Sequence, residues 1–133
     1  MECYWKFEAI DGFDRSHIQS LLENLLSTPE RGGVWVAEMD GRLCGYLTAV
    51  YLFSFEYGGM VAEIDEFFVS AEKRSAGVGS LLVAAAERAM AAQGLARLQL
   101  QLGADNHRGR VFYERHGFRR RAGYELLDKS LTN

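Results

Sequence analysis

Residues 63–80 read EIDEFFVSAEKRSAGVGS, and Leu81-Leu82-Val83-Ala84-Ala85-Ala86 follows directly. Ile64 to Val69 is a strand-like run of apolar and aromatic residues. A short polar turn leads to Arg74, Ser75, Ala76, Gly77, Val78, Gly79 and Ser80, and then to a strong helix former. A strand that empties through a glycine-bearing loop into a helix start builds an anion site. The first amides of a helix have no internal partner, and the helix dipole favours negative charge beside them. The stretch therefore predicts a β-to-α corner that grips a phosphate-bearing ligand.

Working outward, Met60 to Val69 reads as the strand that feeds the corner, and the helix after Gly79 runs to about Gln93, where Gly94 stops it. Upstream, Val34 to Glu38 is a strand, Asp40-Gly41 is a hairpin turn signal, and Leu43 to Phe53 is the returning strand. Ser54 to Gly59 is a loop. Cys3 to Ala9 reads as a first strand on its aromatic content. Asp14 or Ser16 caps a helix to about Leu26, with Ile18, Leu21, Leu22 and Leu25 on one face. Downstream, Leu98, Leu100 and Leu102 alternate with Arg97, Gln99 and Gln101, a strand pattern. Asp105 is the expected N-cap of a helix from Asn106 to His116, with Gly117 closing it, and Phe118 to Asp128 is expected to hold one or two last strands. The order β-α-β-β-β-α-β-α-β makes this an α/β domain on a mixed sheet, read as a single domain over 1–133.

With 133 residues, 48% of them hydrophobic and 25% charged, the composition is that of a globular domain with a real core. No window has the length and apolarity of a membrane span, and the first residues lack the layout of a signal peptide. Cys3 and Cys44 are too few for a disulfide scaffold and have no metal-ligand spacing around them, so we read both as reduced thiols, which predicts a cytoplasmic protein with no metal. The net charge of −3 divides unevenly. Residues 1–66 carry twelve acids and four bases, and residues 67–133 carry six acids and eleven bases. The basic half holds the anion corner, and the acidic half is free to face a cationic partner. Overall acidity and the lack of a reader motif speak against nucleic acid, and no feature points to a membrane.

The run from Val69 through Arg74 and Gly77 to Gly79 resembles the acetyl-CoA signature of the GNAT superfamily of N-acetyltransferases, Arg/Gln-x-x-Gly-x-Gly/Ala. Asn106, Tyr113 and Gly117-Phe118 resemble the same family's second hallmark, an Asn that begins a helix, a Tyr seven residues on, and a closing Gly-Phe. The hairpin at Asp40-Gly41, with Gly45, Tyr46 and Leu47, looks like the family's central hairpin. The loop is not a Walker phosphate loop, which needs a Gly-Lys-Ser/Thr ending, nor a dinucleotide fingerprint, whose third glycine would stand where Leu82 does. Ala71 and Ser75 depart from the Pro and Gly common in the family, and neither change removes a backbone amide. The family's second N-terminal helix has little room between Leu26 and Val34, which implies a shortened acceptor wall or one completed by another subunit, as in a homodimer.

The resemblance implies an acetyl-CoA-dependent transfer of an acetyl group to an amine by direct attack in a ternary complex. The amides from Arg74 through Ser80 suit the pyrophosphate, with Gly77 and Gly79 admitting close approach and Arg74 adding a charge-assisted contact. Phe67, Phe68 and Val69 fall on the strand edge that pairs with the pantetheine arm, and the amide of Phe68 or Val69 is the oxyanion donor. Asn106 is expected to hydrogen-bond the pantetheine. Tyr113 is the general acid, a phenol suited to a departing thiolate. The base is assigned to Glu66, with Glu63 next. Strand alternation places Glu63 and Asp65 on one face and Glu66 on the other unless a bulge intervenes. Trp35, Tyr51, Phe55, Glu56, Tyr57 and Asp65 are expected to line an acceptor pocket whose aromatic and acidic residues suit a small organic cation: a polyamine, an aminoglycoside, an amino-acid derivative or a peptide N-terminus. His17, His107 and His116 read as structural, and the arginines from Arg108 to Arg121 as a solvated face. The reading from another class is a non-catalytic acyl-CoA-binding sensor, which would need neither Tyr113 nor the acids.

Overall fold

A computed structural model describes residues 1–132. The chain packs as two compact units, Met1–Gln101 and a second from Leu102 onward. The first unit holds α1 (Glu2–Phe7), α2 (Arg15–Leu26), β1 (Gly32–Met39), β2 (Arg42–Ser54), β3 (Gly59–Val69), a 3-10 turn (Ala71–Lys73), α3 (Val78–Ala92) and β4 (Leu98–Leu100). The second holds α4 (His107–Arg115).

The sheet runs β1-β2-β3-β4, antiparallel except for the parallel pair β3 and β4, so it is the expected mixed sheet. Asp40 and Gly41 both adopt left-handed backbone, at φ 51° and 74°, which is the turn that matches the twist of a two-residue hairpin. The core forms where α3 lies on one face of the sheet. Val78 and Leu82 of α3 meet Cys44, with Trp35, Ala37, Phe67 and Val69 packed around them. Leu47 and Val83 are fully buried. Gly45 sits where a side chain would press within 2.9 Å of the Phe68 carbonyl, so the helix face of the sheet is closed tightly there.

Three expectations are corrected. The segment expected as a first strand, Cys3 to Ala9, is helical as α1. Glu2 in its first turn pairs with Lys6 at 3.2 Å and with Arg15 at 3.5 Å, so local charge matching overrides the β preference of its aromatics. Two helices therefore precede the sheet. Strand β4 ends at Leu100 rather than Leu102. No strand forms from Phe118 to Asp128 among the described residues; Gly123 turns left-handed at φ 88° inside that run, and Arg121 stacks on the Tyr124 ring at 4.2 Å.

Candidate active site

The site begins with a slip in register. Ala49 of β2 pairs with Ile64 of β3, but Thr48 pairs with Glu66, leaving Asp65 as an extra residue. This is a β-bulge, and it reverses the side-chain alternation of β3. Opposed residues of an antiparallel pair share a face. Glu63 opposes Val50 and Glu66 opposes Thr48, so both glutamates stand on the same face, and the plain alternation read from sequence does not hold. Phe67 and Val69 pass to the other face and join the core under α3, as expected for their side chains.

The slip also turns the backbone. Ala62 donates its N–H to the Arg97 carbonyl, toward β4, whereas Ser70 donates to the Cys44 carbonyl, toward β2. Counting back from Ser70, the N–H of Phe68 faces β2 and those of Phe67 and Val69 face the opposite edge. On that edge β4 pairs with β3 only from Ala62 to Ile64, and no strand continues beyond among the described residues. Val69 thus turns its N–H toward the edge that β4 leaves uncovered, and Phe68, one of the two expected oxyanion donors, does not.

The chain then enters the loop. Arg74 is extended, Ser75 is left-handed at φ 69°, and Gly77 is left-handed at φ 81° as the N-cap of α3. No side chain caps this helix and no acid lies in its first turn. The amides of Val78 and Gly79 at its start have no side-chain cap, which is the arrangement an anion requires. Arg74 does not extend into solvent. Its Nε donates to the Val69 carbonyl at 2.9 Å, and its guanidinium lies 5.2 Å from the Phe7 ring and 5.4 Å from the Phe68 ring.

The face that carries the glutamates meets α1. Glu66 accepts from Trp5 Nε1 at 2.9 Å and from the Tyr46 hydroxyl at 2.7 Å, while its own N–H donates to Thr48 Oγ1 at 3.0 Å. Glu63 accepts from Gln99 at 2.8 Å and Gln101 at 3.2 Å. Burial, with the nearby carboxylates Glu8, Glu66 and Asp65, pushes the Tyr4 phenol up to about 12. Burial and the bond to Glu66 raise that of Tyr46 as well. Asp65 is raised above the usual carboxylate range, by burial first and then by Glu63. The partners of Glu66 were not legible beforehand. Trp5 is 61 positions from Glu66 and gives no local signal, whereas the period-two run of Gln99 and Gln101 did mark two side chains of one strand face.

The expected acceptor lining does not assemble. Trp35 packs against the core under α3. Tyr51 opposes Ala62, shares the face of Ile64, and meets Gln93, just past the end of α3, at 3.5 Å, away from the glutamates. Phe55, Glu56 and Tyr57 sit at the far tip of the β2–β3 hairpin, where Phe55 is 92% exposed and Arg97 stacks on Tyr57 at 4.2 Å. Only Asp65 of that group stands with Glu63 and Glu66. A small pocket lined by Met90, Leu95 and Leu98 lies at the other end of α3 from Gly77.

In the second unit, α4 is capped by Asn106, not Asp105; the Asn106 side-chain oxygen accepts from the Gly109 N–H at 2.9 Å. Tyr113 is flanked by the Phe112 and Phe118 rings, each 5.4 Å between centroids, and Gly117 closes the helix at φ 89°.

Comparison with known proteins follows this geometry. A family model described as Acetyltransferase (GNAT) family matches residues 2–118. An uncharacterized N-acetyltransferase of Archaeoglobus fulgidus is 33% identical over 96 residues, covering 71% of this chain and 65% of the relative, so the match spans less than two thirds of that relative's length. Among solved structures, an integron cassette protein from the mobile metagenome of Cole Harbour Salt Marsh is 26% identical with a TM-score of 0.84, over 99% of this chain and 80% of that one. The fold is also that of AAC(6')-Iy, solved with the bisubstrate analog CoA-S-monomethyl-acetylneamine, at 20% identity and a TM-score of 0.79, over 90% of this chain and 82% of that one.

Proposed function

The chain belongs to the acetyltransferase (GNAT) family, and on that premise we propose that it is an acetyl-CoA-dependent N-acetyltransferase acting on a primary amine by direct attack in a ternary complex. The observation that carries this reading is the uncapped start of α3, set just after the open edge of β3. A diphosphate needs several unpaired N–H donors at a positive helix end, and an extended amide-bearing arm needs an unpaired strand edge. Val69 on the uncovered edge and Val78 and Gly79 at the helix start support that reading.

The roles follow from chemistry. The amides of Val78 and Gly79, at the start of α3, hold the pyrophosphate, while that of Ala76 is tied to the Lys73 carbonyl. The N–H of Val69 serves the pantetheine or the developing oxyanion, and is favoured over that of Phe68 because it faces the uncovered edge. Arg74 acts by fixing the Val69 carbonyl and bracing α1 through Phe7, more than as a phosphate ligand. Asn106 holds the pantetheine and Tyr113 protonates the leaving thiolate, roles that rest on the family likeness. The face bearing Glu63, Asp65 and Glu66 suits a cationic acceptor, and the acetylneamine moiety of the AAC(6')-Iy ligand makes aminoglycosides a first class to test, beside polyamines, amino-acid derivatives and peptide N-termini.

The test is release of free thiol from acetyl-CoA against a broad panel of amines. At least one amine should drive release. If none does, while CoA still raises Tm, the chain is a binding module and the transfer reading falls.

A further inference from the structure

We propose that Phe7, the last residue of α1, is a positioning residue for the transfer step. Its ring holds the Arg74 guanidinium on the Val69 carbonyl, which leaves the N–H as the main-chain group of Val69 offered to the thioester. The assignment rests on the acetyl-transfer reading above and goes beyond it by giving α1 a part in the chemistry.

Val69 turns two groups toward the same edge. In a strand the N–H and C=O of one residue point the same way, and Arg74 Nε donates to the Val69 carbonyl at 2.9 Å on the edge that β4 leaves uncovered. The peptide unit that begins with this carbonyl is held at its other end as well, because the Ser70 N–H donates to the Cys44 carbonyl at 2.8 Å. With the carbonyl taken, a ligand that meets Val69 here must bring an acceptor, and a thioester oxygen gaining negative charge is one. A carbonyl without its cation would set a partial negative charge beside that oxygen and oppose it.

Arg74 does not keep this place by an ion pair. No acid pairs with its guanidinium among the described residues. What lies against it are the rings of Phe7 at 5.2 Å and Phe68 at 5.4 Å. A guanidinium over an aromatic ring is attracted to the negative charge of its face. Phe68 is fixed by the ladder opposite Tyr46, whose ring is 6.3 Å away. Phe7 has no ladder. It stands on a six-residue helix that buries none of its residues and that reaches β3 and its loop through side chains, Trp5 on Glu66 at 2.9 Å and Phe7 on Arg74. The Phe7 ring is 63% exposed, so it adds little to the core, and its contribution lies in what it covers. The backbone of Arg74 is placed separately, by its N–H on the Ser70 carbonyl at 3.1 Å, so the loop keeps its course when the side chain lets go.

The full-length chain, Phe7→Leu, Phe7→Tyr, Arg74→Gln and the Phe7→Leu/Arg74→Gln double variant are assayed with the best amine from the panel, with CoA affinity by calorimetry and Tm alongside. Phe7→Leu removes the aromatic face and keeps an apolar cover. It should lower kcat about fivefold, because an oxyanion donor acts in the transition state, with CoA affinity and Tm held. Phe7→Tyr keeps the ring and should restore the rate. In the Arg74→Gln background the charge is gone, and Phe7→Leu should have no further effect on kcat. A readout that needs no turnover is solvent exchange of the Arg74 Nε–H by heteronuclear NMR, assigned by its loss in Arg74→Gln. It should be slow in the unsubstituted chain and fast in Phe7→Leu. Undiminished kcat in Phe7→Leu, an equal loss in both backgrounds, a loss confined to CoA affinity, or exchange unchanged by Phe7→Leu would overturn the positioning role and leave acetyl transfer in place. No thiol release by the unsubstituted chain with any amine would overturn both.

Discussion

α2 opens on Asp14, whose backbone is extended and whose carboxylate folds back to accept the His17 N–H at 2.9 Å. α3 opens on Gly77, whose backbone is left-handed and which has no side chain to fold back. Both helices face the same problem of unpaired first amides. The first solves it internally, with the residue type that caps best. The second adopts a backbone in which an L side chain costs about 1 kcal/mol, and has no side-chain cap at its start. A helix that serves only the fold closes its own start, and one kept open points to a ligand that closes it. α4 follows α2, with Asn106 accepting from Gly109.

The strongest way to break this contrast is to give α3 an acid of its own. Gly79→Asp puts a carboxylate on the first turn, where it competes for the amides and repels a diphosphate. CoA affinity by calorimetry should fall about a hundredfold with Tm held or raised; unchanged affinity would mean the α3 start is not the anion site. The converse is to remove a cap from a helix that has one. Asn106→Ala should cost about 1 kcal/mol in denaturant unfolding, and any drop in CoA affinity beyond that would report its pantetheine role. A smaller effect belongs to Ser75, a non-glycine residue at φ 69°. Ser75→Gly relieves that strain but frees the unfolded chain, for a net gain of about 0.5 kcal/mol, read as a higher midpoint in urea. The smallest is at Asp14. Its hydrogen bonds from the His17 N–H and then from Ser16 hold its carboxyl below the usual range. A depressed folded value means its contribution is present above the ordinary aspartate pKa and fades as pH falls through it. The Tm advantage over Asp14→Ala should therefore be present at neutral pH and shrink below about pH 4; an advantage that persists in acid would sever the cap from its charge.

The elements that were legible are those whose signals are local. The Asp40-Gly41 turn, the loop around Gly77 and the run from Leu81 to Ala86 each announce themselves within a few residues. α1 was not legible, because six aromatic-rich residues favour a strand until Glu2, Lys6 and Arg15 are seen to pair and Trp5 is seen to reach Glu66. The bulge was not legible either. It is a fact about how Thr48 and Ala49 meet β3, and nothing inside residues 63–66 announces it. The acceptor lining failed for a related reason. Alternation says that Trp35 and Tyr51 differ in face from their neighbours, but not which face α3 will cover.

Strand β3 changes phase at Asp65. Deleting that one residue would take out the kink and leave the pairing on either side in place. With Asp65 gone, Ile64 would still oppose Ala49 and Glu66 would still oppose Thr48, so Glu66, Phe67 and Val69 would keep their faces. The bulge is an insertion the sheet absorbs without exchanging core for cleft, and what it adds is one more side chain and a sharper local twist.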